Sequence, residues 1–375
     1  MRSYDAIIVG GGIIGLATGY YLTRRKKKVL VIEKNYLGAG STGRCIGGIR
    51  QQFSSPGSIL VAMESVRLFK EMDKEFGFSV EWHQGGYLFL AYDEETKEKY
   101  LKAIEIQRKF GLKVYFIDAK EVEKIVPHLN MEGVIGGAYS PEDGQAYPFA
   151  VLRGYAEGIK KAGSEILTRR KVVKVLAKNM RVEGVEVDTG EKFYAPIVLN
   201  AAGPWAKEVA KTVDLELPLY PERHEALVTE RLPKFFEPMI VDYRPDGCYF
   251  QQRPNGQIIG CYTPIPNVPG TRVDSSFEFL YEMGFRMARL IPVLKYASIV
   301  RQWAGSYTMT PDGNPIVDVT DIEGFYVASG MSGHGFMFGP GIGKYLAKHM
   351  VDGVWEIDMS EFSLKRDFGR KELMK

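Results

Sequence analysis

The chain has 375 residues, 45% hydrophobic and 25% charged, a globular composition whose length favours two domains or one domain with an insertion. A net charge of +3 is too small to suggest a nucleic-acid partner, and no apolar run approaches the ~18 residues that span a membrane. Three cysteines (Cys45, Cys248 and Cys261) without C-x-x-C spacing argue against an iron–sulfur cluster, a structural zinc site and a disulfide framework.

The apolar run 6–9 reads as a short buried strand. Gly10, Gly12 and Gly15 follow at G-x-G-x-x-G spacing, and an apolar helical pattern starts at Ile13. In a dinucleotide site the first glycine makes the tight turn and the second admits a pyrophosphate. The third lets helix and strand pack closely, and the helix N-terminus offers N–H groups to phosphate. Such a motif is weak alone, but a second apolar strand, 29–32, ends in Glu33, an acid placed to accept hydrogen bonds from a ribose. The basic run 24–28 reads as a solvated helix end, where cations suit the helix dipole. With so little chain before the first strand there is no room for a signal peptide, so a reducing, cytoplasmic setting is expected.

Residues 37–52 form a second glycine-rich segment, too polar for a core element, whose backbone could run close to a flat cofactor. Arg50 at its end is open to two readings, a surface charge or a bidentate clamp for a carboxylate. Helices are predicted over 56–76, 94–110 and 118–126 from their Pro, Asp and Gly boundaries and apolar spacing. Residues 80–90 read as strands around the turn Gly85-Gly86. A helix over 149–161, strands over 165–168, 172–177 and 182–187, and a buried strand from 197 running into Asn200-Ala201-Ala202-Gly203-Pro204-Trp205 follow. Residues 219–262 are again strand-rich and 276–290 helical. The strand 325–329 leads into a glycine loop, 330–341, and a helix over 342–350, a third strand–loop–helix able to approach a ligand.

The predicted fold is mixed α/β and α+β: a discontinuous Rossmann-like nucleotide-binding domain (1–80, 145–220 and 296–375) with an inserted substrate domain of β-sheet and helices (81–144 and 221–295).

Five segments in order carry a resemblance: the N-terminal glycine motif with Glu33, the segment ending Ile49-Arg50, the Asn200–Trp205 run, Pro311-Asp312-Gly313, and Gly330-Met331-Ser332-Gly333-His334-Gly335. Together they resemble the FAD-dependent amine oxidoreductases of the D-amino-acid oxidase and sarcosine oxidase superfamily. The segment Gly43 to Arg50 is most similar to the β subunits of heterotetrameric sarcosine oxidase and archaeal dye-linked L-proline dehydrogenase. The resemblance implies non-covalent FAD held by Gly10, Gly12, Ile13, Ile14, Gly15, Glu33 and Lys34, then by Ser41, Thr42, Gly43, Arg44, Gly47 and Gly48. Val173, Ala201, Gly203, Trp205, Gly305 and Asp312 would add to it, with Gly330, Gly333, His334, Gly335, Phe336 and Met337 from the last loop.

It further implies that Arg50 holds the carboxylate of a small amino-acid substrate and that Tyr249 shares the task. His224 and His334 are possible proton acceptors, although His224 also reads as a satisfied strand histidine. Trp303 and Tyr307 read equally as core aromatics or as pocket lining. Tyr307 stands where D-amino-acid and glycine oxidases carry a carboxylate-binding Arg. Gly305 stands where monomeric sarcosine oxidases attach FAD through Cys. Ile258 and Met337 lie near or at positions where those enzymes carry Lys. The heterotetrameric enzymes link FMN to a His near Pro148, so any FMN here, shared with a partner subunit, would be non-covalent. Losing a cation beside the flavin disfavours reaction with oxygen, so the expectation is a dehydrogenase for L-proline that passes electrons to an α-type flavoprotein subunit. Two alternatives stay open: a sarcosine, glycine or D-amino-acid oxidase, and a non-catalytic electron-relay flavin subunit. A nicotinamide dehydrogenase would be excluded by a yellow protein.

Overall fold

The computed structural model describes residues 3–369; residues 1–2 and 370–375, at the two ends of the predicted nucleotide domain, lie outside the described residues. A six-stranded sheet runs in the order Ile316–Val319, Phe325–Ser329, Val198–Asn200, Ala6–Val9, Val29–Glu33 and Glu165–Thr168. Its pairs are parallel apart from the first. Alternate residues of its central strands serve two cores, which is why these strands read as continuous apolar runs. Ile8 and Val31 pack on the helix side, whereas Ile7, Val9, Leu30 and Ile32 pack with Val175, Val185 and Phe193. Those last three residues belong to an antiparallel sheet of Lys192–Tyr194, Arg181–Val187 and Val172–Lys178.

The second large sheet has eight strands: Ile299–Met309, Tyr220–Arg231, Gln257–Cys261, Tyr249–Gln252, Met239–Val241, Tyr87–Ala91, Gly136–Ser140 and Tyr115–Asp118. It is antiparallel except between Met239–Val241 and Tyr87–Ala91. The first strand, Ile299–Met309, pairs with Tyr220–Arg231 from Tyr220 opposite Met309 to Thr229 opposite Ile299, so this sheet extends past position 296.

The helices start where their capping residues direct. Pro56 opens Pro56–Phe76, and Gly77 closes it in the left-handed region at φ 77°. Asp93 accepts from the Thr96 N–H at 2.7 Å, Asp118 from Glu121 at 2.9 Å, and Ser276 from Phe279 at 3.2 Å.

Four expectations need correction. Residues 80–84 are not a strand; His83 makes one isolated bridge to Gln145. The Gly85-Gly86 pair is not a hairpin turn: a Cβ on Gly85 would lie 2.3 Å from the Glu237 carbonyl oxygen, so the glycine answers a close backbone crossing. Ile299–Met309 is a strand that the sequence reading leaves out, because Gly305, Ser306 and Thr308 interrupt any apolar alternation. Finally, the loop after Phe325–Ser329 ends at His334, and a single helix runs over Gly335–Asp352. Its glycines serve helix packing: a Cβ on Gly339 would meet Ile13 at 2.4 Å, and one on Gly343 would meet Ala17 at 2.6 Å. Among the described residues no helix is long and apolar enough to cross a membrane.

Candidate active site

The first cavity lies where the strands of the six-stranded sheet give way to helices. Gly10, Gly12, Ile13 and Ile14 line it, with Glu33, Lys34, Ser41, Thr42 and Val173. Ala201, Gly203, Trp205, Gly330, Gly333, Gly335 and Phe336 complete the predicted part of its wall. Gly10 has φ 113°, and a Cβ there would sit 2.4 Å from the Ala201 carbonyl oxygen, so no other residue permits this turn. Two helices, Ile13–Arg24 and Gly335–Asp352, begin at this cavity, and neither Gly12 nor His334 caps its helix through a side chain. Helix starts present N–H groups and positive dipole ends to anions, although the Ile13 N–H is taken by the Thr42 hydroxyl at 3.2 Å. The Glu33 carboxylate accepts one N–H on each oxygen, from Gly11 and from Asn35, both at 2.8 Å. Each oxygen keeps a lone pair for a ribose hydroxyl. Lys34 Nζ rests 2.9 Å from the centre of the Trp205 ring. These residues fit a dinucleotide: backbone N–H groups for the pyrophosphate, an acid for the ribose, and glycines where the chain must pass close.

A second cavity opens beside the first. Ser41, Cys45, Ser306, Tyr307, Gly333 and Phe336 line both, so the two meet. Arg44, Gly47, Gly48, Gly305, His334 and Met337 fall on this second wall. Arg50, His224 and Tyr249, predicted from three separate stretches, are brought together here.

Arg50 is 2% exposed. Its guanidinium donates to the Gln52 carbonyl and to His334 Nε2, the latter at 3.2 Å, and lies 4.1 Å from the Phe53 ring centre. Arginine only donates, so Nε2 of His334 is the acceptor in this contact. Behind Arg50, Asp143 is fully buried and accepts from the Gln51 N–H at 3.0 Å and from its amide at 2.9 Å. Burial pushes its carboxyl up to about 6, against these hydrogen bonds and the Arg50 charge.

The opposite wall is aromatic. The Tyr249 and Tyr307 hydroxyls are 3.2 Å apart, and burial raises both phenols well above their ordinary range, so both stay protonated. The His224 ring stacks on Tyr307 at 3.9 Å and 20°. Burial likewise pushes the Cys261 thiol up to about 12, which leaves it inert at neutral pH.

Several predicted residues stand elsewhere. Gly15 and Gly43 line neither cavity; a Cβ on Gly15 would be 2.1 Å from the Gly10 carbonyl oxygen, so it serves strand–helix packing. Asp312 also lines neither. Its buried carboxylate pairs with Arg366 at 2.8 Å and accepts from the Asn314 N–H at 3.0 Å. Trp303 lines neither cavity, and its indole N–H donates to the Arg44 carbonyl at 2.8 Å. Ile258 is wholly buried core, away from both. Residues that sequence reasoning missed include Tyr87, Glu222, Met239 and Asn267, which line the second cavity. No local motif marks them; only sheet register and a surface loop bring them in. Among the described residues no group of three or more His, Cys, Asp and Glu is placed to hold a metal ion.

Comparison with known proteins gives a consistent result. The family model described as FAD dependent oxidoreductase matches residues 5–349. Sarcosine oxidase subunit beta of Rhizobium meliloti (strain 1021) is 30% identical over 97% of this chain and 88% of its own length. The crystal structure of L-proline dehydrogenase from P. horikoshii superposes with TM-score 0.93 and 34% identity, covering 97% of this chain and 98% of that one. Glycine oxidase from Geobacillus kaustophilus gives TM-score 0.89 at 25% identity, over 98% of this chain and 100% of that one.

Proposed function

The chain belongs to the FAD dependent oxidoreductase family, and from that premise we propose that it dehydrogenates a small secondary amino acid, L-proline, to Δ1-pyrroline-5-carboxylate. The observation that carries this reading is Arg50, an arginine 2% exposed in the wall of a cavity continuous with the nucleotide cavity. A carboxylate matches the planar fork of a guanidinium that lines the cavity. Bound FAD supplies a two-electron acceptor. The chain's own residues do the rest: Arg50 fixes the carboxylate, the Tyr249 and Tyr307 hydroxyls line the space beside it, and the aromatic and apolar wall excludes water. Oxidation next to nitrogen needs the neutral amine, so a group at the cavity must take the ammonium proton. His224 is assigned that role.

Dehydrogenase is preferred over oxidase because no lysine is among the described residues lining the second cavity and Met337 stands on its wall. Likeness to a sarcosine oxidase subunit beta supports a catalytic subunit that hands electrons to a partner flavoprotein. Two discontinuous units are kept in this reading, with Ile299–Met309 moved to the substrate unit because it pairs with Tyr220–Arg231.

The test is anaerobic mixing of the yellow protein with L-proline, sarcosine, glycine and D-alanine in turn, followed by air. L-Proline should bleach the visible flavin band fastest, with slow recovery in air. Bleaching by sarcosine or glycine with immediate recovery and peroxide release would make the protein an oxidase instead. Size-exclusion of natively purified protein should show a second, co-eluting chain.

A further inference from the structure

Arg50 is anchored through both of its terminal nitrogens. One donates to the Gln52 carbonyl and the other to Nε2 of His334 at 3.2 Å. A guanidinium is planar and rigid, so anchors on its two arms fix the direction of its fork. His334 is itself held in place. Its backbone N–H donates to the Met331 carbonyl at 2.8 Å, and its ring stands edge-on to Phe53 at 5.2 Å and 89°. Phe338 packs on both rings, 4.7 Å from Phe53 and 5.8 Å from His334. Phe53 and Phe338 are core residues, so the imidazole is seated against a fixed surface.

The two residues before His334 are tied to the aromatic wall. Ser332 takes the left-handed region at φ 46°, a conformation that costs a non-glycine residue energy. Its N–H donates to the Thr308 carbonyl at 2.9 Å, next to Tyr307. A Cβ on Gly333 would meet the Tyr307 ring at 2.6 Å, so this glycine, at φ 89°, lets the loop press against the ring. Three consecutive residues thus connect Tyr307 to Arg50 across the second cavity.

Resting on the functional reading above, we propose that His334 is a positioning residue: its Nε2 aims the Arg50 guanidinium at the substrate carboxylate. His334 makes and breaks no bond in the reaction. Its Nε2 is engaged by Arg50, which withdraws that nitrogen from the proton-acceptor role the sequence leaves open. The cavity's preference for a carboxylate then depends on an acceptor at position 334 and not on an aromatic ring there. Phenylalanine would keep the packing on Phe53 and Phe338 but release one arm of the fork. Glutamine would give up the ring but keep an acceptor oxygen at similar reach.

The experiment is ligand binding to the holoprotein, read from flavin spectral perturbation, with L-tetrahydrofuran-2-carboxylate and its carboxamide as probes. Ring oxygen replaces the amine nitrogen in both, so binding is read without oxidation. His334→Phe should weaken the carboxylate about tenfold, the size expected for a hydrogen bond to a charged group, and the carboxamide by less than about twofold. His334→Gln should bring the carboxylate back to within about threefold of wild type. In an Arg50→Ala background, His334→Phe should change neither ligand further, because the two residues act as one unit. A carboxylate preference kept in His334→Phe, or lost as far in His334→Gln, would overturn the proposal. A colourless His334→Phe protein would also overturn it, by placing the residue with the cofactor. Wild type that binds the carboxylate yet is bleached by no amino acid would overturn the functional reading, while the two variants still decide the role of His334.

Discussion

The two cavities meet, yet they are built by opposite means. The nucleotide cavity is made largely of backbone: a glycine at φ 113°, two helix starts, and small residues at strand ends. The substrate cavity is made of side chains, with Arg50, His224, Tyr249 and His334 drawn from four distant stretches into one cavity. A backbone site is intolerant of added atoms but indifferent to most side-chain chemistry. A side-chain site is the reverse. Substitutions in the two should therefore fail in different ways.

The largest effect is expected at Gly10. Gly10→Ala places a methyl 2.4 Å from the Ala201 carbonyl oxygen on a backbone that disfavours any side chain. Overpacking and strain, each about 1–3 kcal/mol, should yield a colourless protein with a lowered melting temperature. A yellow, wild-type-stable Gly10→Ala protein would break the distinction between the two cavities.

Next comes a site outside both. Arg366→Ala leaves Asp312 as a buried, unpaired charge, which costs about 3–5 kcal/mol, measurable by denaturant unfolding, while substrate affinity of the folded fraction stays unchanged. Burial pushes the Asp312 carboxyl up, but the Arg366 guanidinium, the Asn314 N–H and the Thr310 hydroxyl outweigh it and hold it below its ordinary value. A depressed acid stabilises the fold fully above its unfolded pKa of about 4 and loses that contribution as pH falls through the folded value. Wild type should thus lose stability below pH ~4 more steeply than Arg366→Ala.

Arg50→Ala should keep flavin but weaken L-proline binding by about 1.5–3 kcal/mol, the range for a hydrogen bond to a charged group. Flavin-monitored titration reads this directly, and unchanged affinity would remove Arg50 from the site. Tyr249→Phe, which deletes one neutral hydroxyl 3.2 Å from Tyr307, should cost only about 0.5–1.5 kcal/mol in the same titration.

The contrast also accounts for what was legible in the sequence. Gly10, Gly12, Gly15 and Glu33 announce themselves because backbone geometry and residue type are both local. The six-stranded sheet follows from apolar runs buried on both faces. Glycines mislead where one residue type serves two ends: Gly339 reads as loop but admits a neighbouring helix, and Asp312 sits in a motif yet holds Arg366. Glu222, Tyr87 and Met239 carry no local signal at all. Their place on the wall is set by strand register, as when Glu222 falls opposite Tyr307 and His224 opposite Gly305. Spacing along the chain does not encode that register.

The central claim is that the second cavity binds an amino acid by its carboxylate at Arg50. Anaerobic flavin reduction by L-proline and by L-prolinamide, in wild type and Arg50→Ala, tests it most directly. The account predicts strong preference for L-proline over the amide in wild type and loss of that preference in Arg50→Ala. Equal reduction by acid and amide in wild type, or a preference that survives in Arg50→Ala, would contradict it.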